Sequence, residues 1–193
     1  MSGNTPGACW ARLRRAQQRD VPALEALIPL SARTLQSATY ASAQIEAALG
    51  TVFAVDHRLI ADGTYFVAEL DGAIVGCGGW SRRKTLFGGD RGGARNDALL
   101  DPACDAARIR AFFVHPAHAR QGIGSLIMAA CECAASDAGF QRLELVATLA
   151  GEPLYTAFAF RSVERYDLTL PNGVSLPVVR MVKTRSAATP SQA

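Results

Sequence analysis

The sequence predicts a mixed α/β domain built around one central sheet. Three observations point there. Segments of strand-like alternation and of helical period interleave in the order β-αα-βββ-α-β-α-ββ. That order lacks the repeated βαβ units of a doubly wound dinucleotide-binding fold. And 193 residues, 49% of them hydrophobic and 19% charged, suffice for one domain whose core needs no disulfide or metal staple.

Taken in order, residues 1–9 are small and polar and are expected to be disordered. Trp10 to Arg14 alternates apolar and basic residues, as a first strand does. Asp20 is a candidate helix cap with Pro22 in the first turn, and Leu24, Leu27 and Ile28 supply that helix's apolar face. A second helix is expected over Ser31 to Leu49, stopped by Gly50, with Tyr40, Ile45 and Leu49 inward. Thr64 to Leu70 and Ala73 to Trp80 read as strands joined by a tight Asp71-Gly72 turn. Gly76, Gly78 and Gly79 in the second of them signal a bulge, or a close approach by a ligand or neighbouring chain.

Residues 81–107, glycine-rich and of mixed charge, form a long inserted loop: either a solvated connection or a lid that selects substrate. Arg108 to Val114 is a strand stopped by Pro116. A helix runs from near Gly122 to Asp137, closed by Gly139, with Ile123, Leu126, Ile127, Ala130, Cys131 and Ala134 at the spacing of a buried face. A strand over Arg142 to Thr148 and a short helix over Glu152 to Phe158 follow. Two last strands, Ser162 to Leu170 and Val174 to Lys183, are joined by Pro171-Asn172-Gly173. Residues 185–193 read as a disordered tail, so the domain proper spans 10–184.

Composition narrows the function classes. The five cysteines are odd in number and form no CxxC, which argues against a disulfide framework or a zinc site and for a reducing compartment. Cys131 and Cys133 fall on opposite sides of their helix, and Cys77 and Cys104 sit in no setting that would activate a thiol. No run of about 18 apolar residues and no leader pattern occurs, so a cytoplasmic protein that does not enter a membrane is expected. A net charge of +3 suits a polyanionic small molecule. The scattered arginines, with Phe112 and Phe113 inside an apolar strand, do not make a nucleic-acid surface.

The stretch that carries chemistry runs from Phe112 to Leu126: a strand end, a short basic loop, then Gly122-Ile123-Gly124 opening an apolar helix. A helix start presents unpaired N–H groups and partial positive charge, and glycine lets backbone close on an anion, so the natural ligand is a phosphate or pyrophosphate. A Walker loop is excluded because no Lys follows the glycines, and a dinucleotide fingerprint fails because Ile127 stands where its third glycine belongs.

The run Ile109-Arg-Ala-Phe-Phe-Val114-His-Pro116, followed by Arg120-Gln-Gly122-Ile-Gly124, resembles the acetyl-CoA-binding core of the Gcn5-related N-acetyltransferase (GNAT) superfamily. Leu154-Tyr155-Thr-Ala-Phe-Ala159-Phe160 resembles that family's FYxxxGF segment. Departures are Ala119 at the first position of the family's [QR]xxGx[GA] loop, Thr148 where many members carry Asn, and Ala159 for the glycine of GF.

The resemblance implies the acyl-CoA N-acyltransferase fold: a mostly antiparallel sheet with helices on both faces and with the fourth and fifth strands splayed apart. Acetyl-CoA is then the co-substrate and no metal takes part. Main-chain groups of Phe113 and Val114 would pair with pantetheine, and Arg120, Gln121, Gly122, Ile123, Gly124, Ser125 and Leu126 would hold the pyrophosphate. One backbone N–H near the splay would polarise the thioester carbonyl. Tyr155 matches the family's general acid. The base stays open, with Asp105 and His118 as candidates. Arg108 and Arg110 share one strand face and serve either ion pairs or an acidic substrate. The acceptor would be an amine of a small molecule or peptide. By analogy with relatives, a homodimer through the last strands is an expectation. The competing reading is a non-catalytic acyl-CoA sensor on the same fold.

Overall fold

The computed structural model describes residues 11–85 and 98–184. Trp10, the two ends expected to be disordered, and residues 86–97 of the long loop lie outside them. The elements are β1 (Arg12–Arg15), α1 (Val21–Leu35), α2 (Ser42–Ala48), α3 (His57–Ala61), β2 (Tyr65–Leu70), β3 (Ala73–Ser81), β4 (Ala107–Val114), α4 (Ile123–Asp137), β5 (Arg142–Thr148), α5 (Glu152–Ala157), β6 (Arg161–Thr169) and β7 (Ser175–Thr184). They form one seven-stranded sheet, ordered β1-β2-β3-β4-β5-β7-β6. Every pairing is antiparallel except β4 with β5. The mixed α/β architecture with helices on both faces is the one expected.

The sheet separates two cores. On one face α1, α2 and α3 cover Tyr65, Val67, Cys77, Phe113, Leu176 and Val178. On the other, Ile123, Ile127, Met128 and Cys131 of α4 pack with Ile109, Leu143, Leu145 and Met181. The β3 glycines let α4 come close: a Cβ on Gly76 would lie 2.6 Å from Ile123 Cγ2, and one on Gly78 2.8 Å from Ile127 Cγ2. What comes close is the protein's own helix, and the ladder with β4 slips between Cys77 and Gly79, the bulge that the glycines signal. The Asp71-Gly72 turn has φ of 50° and 79°, both positive as a tight hairpin of this twist requires.

Four expectations are corrected. The second helix does not run from Ser31 to Leu49. α1 continues through Pro29 to Leu35, because burial of Ser31 and Ala32 against the sheet outweighs the one hydrogen bond that proline removes. Only Ser42–Ala48 forms α2, and Tyr40 sits in the turn before it, donating its hydroxyl to the Pro177 carbonyl at 2.6 Å. Asp20 does not cap α1 through its side chain; its carboxylate takes Arg14 at 2.7 and 2.9 Å and the Gln17 N–H at 2.8 Å. Leu126 is 39% exposed rather than part of the buried face of α4. The long loop has a paired base, where Lys84 N–H donates to the Ala98 carbonyl at 3.0 Å and Leu100 N–H to that of Arg82 at 2.8 Å.

Candidate active site

β4 and β5 pair only at Ala107 with Leu143 and Arg108 with Glu144. Beyond that point β5 turns to β7 and pairs along its whole length, from Arg142 to Thr148. The two strands therefore part, and among the described residues the edge of β4 from Ile109 to Val114 has no partner strand on the β5 side. At the closed end Glu144, 7% exposed, accepts from Arg108 of β4 and Arg180 of β7. This ion cluster joins three strands where the gap begins.

The expected site residues lie around this gap. Phe113 is buried, and its ring meets Phe53 edge-on with centroids 5.9 Å apart. Val114 N–H donates to Ser31 Oγ of α1 at 3.2 Å. His115 closes the strand: its N–H donates to the Val75 carbonyl, and its Nδ1 accepts from Ala117 N–H in the turn Pro116–His118. The chain then reverses through Arg120 (φ 63°) and Gly122 (φ 85°). Gly122 stands at the N-cap of α4, with no side-chain cap bond and no acidic residue in the first turn. Arg120, Gln121 and Ser125 are exposed there, and the Gln121 side chain donates to the Ala117 carbonyl at 3.1 Å. The N–H groups of this 15-residue helix and its dipole present positive potential to solvent. A pyrophosphate fits this end.

Tyr155, on α5, comes to β4 from the α4 side. It is 8% exposed, with ring centroids 6.1 Å from Phe112 and 6.0 Å from Phe160. Burial pushes its phenol well above the ordinary tyrosine value, so it stays protonated at neutral pH. Two of the family departures are placed here. Thr148 Oγ1 accepts from Gly151 N–H at 3.2 Å and turns the chain into α5. Ala159 has φ of 62°, the left-handed conformation that glycine takes without strain.

The two base candidates are not brought together. Asp105 precedes β4 at the closed end and accepts from the Asp101 N–H at 2.8 Å. His118 follows β4 in the turn to α4, its ring 5.5 Å from that of His115. Eight strand residues, about 25 Å, separate them. Arg108 and Arg110 are both engaged by carboxylates: Arg108 by Glu144, and Arg110, 5% exposed at its side chain, by Asp56 at 3.0 Å.

Asp56 was not anticipated, because α3 is too short to announce itself by periodicity. Its Oδ1 caps α3 by accepting from Leu59 N–H at 3.2 Å. A cleft of about 370 Å³ opens on the α1 face, lined among others by Glu25, Ile28, Pro29, Phe53, Val55 and His57. Among the described residues no group of three His, Cys, Asp or Glu side chains could hold a metal, and no helix is long and apolar enough to cross a membrane.

The acetyltransferase (GNAT) domain family matches residues 61–162 of the chain. Solved structures share the fold over most of its length. A GCN5-related N-acetyltransferase from Rhodopseudomonas palustris is 21% identical with a TM-score of 0.67, the match covering 91% of this chain and 96% of that one. The PaiA N-acetyltransferase from Thermoplasma acidophilum, in complex with coenzyme A, is 12% identical with a TM-score of 0.62, over 90% and 98%. A GNAT family acetyltransferase from Brucella melitensis, in complex with acetyl-CoA, is 15% identical with a TM-score of 0.56, over 94% and 92%. At these identities the likeness is one of fold. No curated protein matches the chain.

Proposed function

Since the chain belongs to the acetyltransferase (GNAT) family, we propose that it transfers the acetyl group of acetyl-CoA to a primary amine by direct attack, with Tyr155 as general acid. The observation that carries this reading is the parting of β4 from β5 beside Tyr155. Main-chain groups of Phe113 and Val114 would receive the pantetheine arm as an added strand. The Val114 N–H would then exchange Ser31 Oγ for a pantetheine carbonyl. Arg120 to Leu126 would receive the pyrophosphate at the start of α4.

The amine must shed a proton before it attacks, since a lysine-like ammonium has a pKa near ~10.4. Its nitrogen then attacks the thioester carbon, the C–N bond forms, the C–S bond breaks, the leaving sulfur takes a proton from Tyr155, and the second proton shed by the new amide nitrogen restores the phenol through solvent. In this reading the acceptor, a small molecule or peptide, comes from the α1 face, where the cleft holds Glu25 and His57. The four described cysteines are all free, which suits a reducing compartment such as the cytoplasm.

Calorimetric titration tests the reading with acetyl-CoA, CoA and ATP as ligands. Binding of both CoA species with ATP silent is expected. Ser125→Glu is the informative variant: a carboxylate in the first turn favours the helix but repels a pyrophosphate. It is expected to keep the fold and lose CoA. A folded wild-type protein that binds neither CoA species would overturn the proposal. CoA binding without thiol release on any amine would favour the sensor instead.

A further inference from the structure

β4 departs from a regular strand at one point. Its ladder with β3 sets Arg110 opposite Gly79 and resumes with Phe113 opposite Cys77. Ala111 and Phe112 together therefore face the single residue Gly78, which is a bulge. Ala111 takes φ of 60°, a left-handed conformation that costs a non-glycine residue about 1 kcal/mol or more. The Phe112 ring lies over Gly78, where an added Cβ would come within 2.7 Å of it. Such a conformation persists only where its surroundings hold it.

The holder is Tyr65 of β2. It is fully buried, and its hydroxyl lies 3.2 Å from the Ala111 carbonyl oxygen and 3.2 Å from the Cys77 sulfur. Burial raises the phenol well above its ordinary value and pushes the thiol up to about 12, so both keep their protons at neutral pH. The Tyr65 hydroxyl can donate to the Cys77 sulfur or to the Ala111 carbonyl, and the Cys77 S–H lies 3.9 Å from the same carbonyl, so that oxygen receives a proton from this buried pair in either arrangement. The peptide between Ala111 and Phe112 is trans and planar, so holding that carbonyl also holds the Phe112 N–H, pointing the opposite way. The Phe112 side chain meanwhile meets Tyr155 edge-on.

The geometry points to Tyr65, backed by Cys77, as a positioning residue for acyl transfer: by fixing the Ala111 carbonyl it aims the Phe112 N–H at the carbonyl oxygen of a bound thioester. This rests on the reading of the chain as an acetyl-CoA-dependent acyltransferase. Tyr65 touches neither substrate; it acts through a single peptide plane. A donor held in advance loses nothing to reorganisation when charge builds on that oxygen.

The test compares amide spectra of ¹⁵N-labelled protein saturated with CoA or with acetyl-CoA. In the wild type the Phe112 amide is expected to differ most between the two complexes, since they differ only in the acetyl group. In Tyr65→Phe that difference should shrink by more than half, while CoA affinity stays within about twofold and acetyl-CoA hydrolysis, read by thiol release, falls about tenfold. An undiminished Phe112 difference in Tyr65→Phe, or a wild-type response centred on another amide, overturns the proposal. Should Tyr65→Phe fail to fold, Cys77→Ala carries the same comparison, and an unchanged Phe112 difference there also overturns it. Wild-type protein that binds neither ligand would refute the acetyltransferase reading itself, a result distinct from all of these.

Discussion

Burial sets the protonation state of Tyr155. Its phenol is buried between Phe112 and Phe160, so the proton stays on through the pH range where an exposed tyrosine begins to lose it, near ~10. As the proposed acid, Tyr155→Phe should lower kcat about a hundredfold while CoA affinity, measured by titration, stays within about twofold. An equal loss of affinity would mean that the ring packs the site rather than protonating sulfur. Asp20 makes a stability prediction. The Arg14 guanidinium, and after it the Gln17 N–H, hold its carboxyl below the usual range. Its stabilising contribution is therefore present at neutral pH and is lost as pH falls through that lowered value. In urea titrations the gap between wild type and Asp20→Asn should be widest near about pH 7 and close as pH falls below the ordinary carboxylate range.

Among the elements, β3 and α4 depend on each other most closely. Strand β3 carries Gly76, Gly78 and Gly79 where side chains would strike Ile123, Phe112 and Ile127, or the Thr64 carbonyl. At Gly78 both nearest neighbours lie within 2.8 Å of an added Cβ, and one of them is the ring of the bulge residue Phe112. Gly78→Ala should destabilise the protein by about 1–3 kcal/mol, seen as a lower denaturation midpoint at unchanged m-value. Strand β4 owes its role to the same contact. A regular strand would show no turned carbonyl for Tyr65 to hold, and the Phe112 N–H would point elsewhere.

At the scale of the molecule, the gap between β4 and β5 opens from a fixed point. Glu144 ties Arg108 on one side of the gap to Arg180 on β7, while β7 alone continues along β5. Glu144→Ala leaves Arg108 largely buried without its carboxylate and should cost about 3–5 kcal/mol of unfolding free energy in a chemical denaturation series. A cost below about 1 kcal/mol would mean that the cluster is solvated and that backbone pairing alone sets where the strands part.

Much of this was legible in the amino-acid sequence. Residues 142–145 alternate polar and apolar before Val146 and Ala147 extend the apolar run, and residues 123–137 keep helical period, so β5 and α4 fall where the pattern puts them. Asp71-Gly72 marks its own turn, and the start of α4 is announced by Gly122 and Gly124. These signals are local: each depends on residues within a turn or two of one another. The tertiary structure decided the rest. It carried α1 past Pro29, made α3 from five residues, and set Arg110 against Asp56, 54 positions away in the chain. It also decided which backbone groups of β4 face a partner and which do not. That depends on where two ladders stop and where one slips by a residue. Such properties belong to pairs of strands and to the side chains packed on them, and no single segment encodes them.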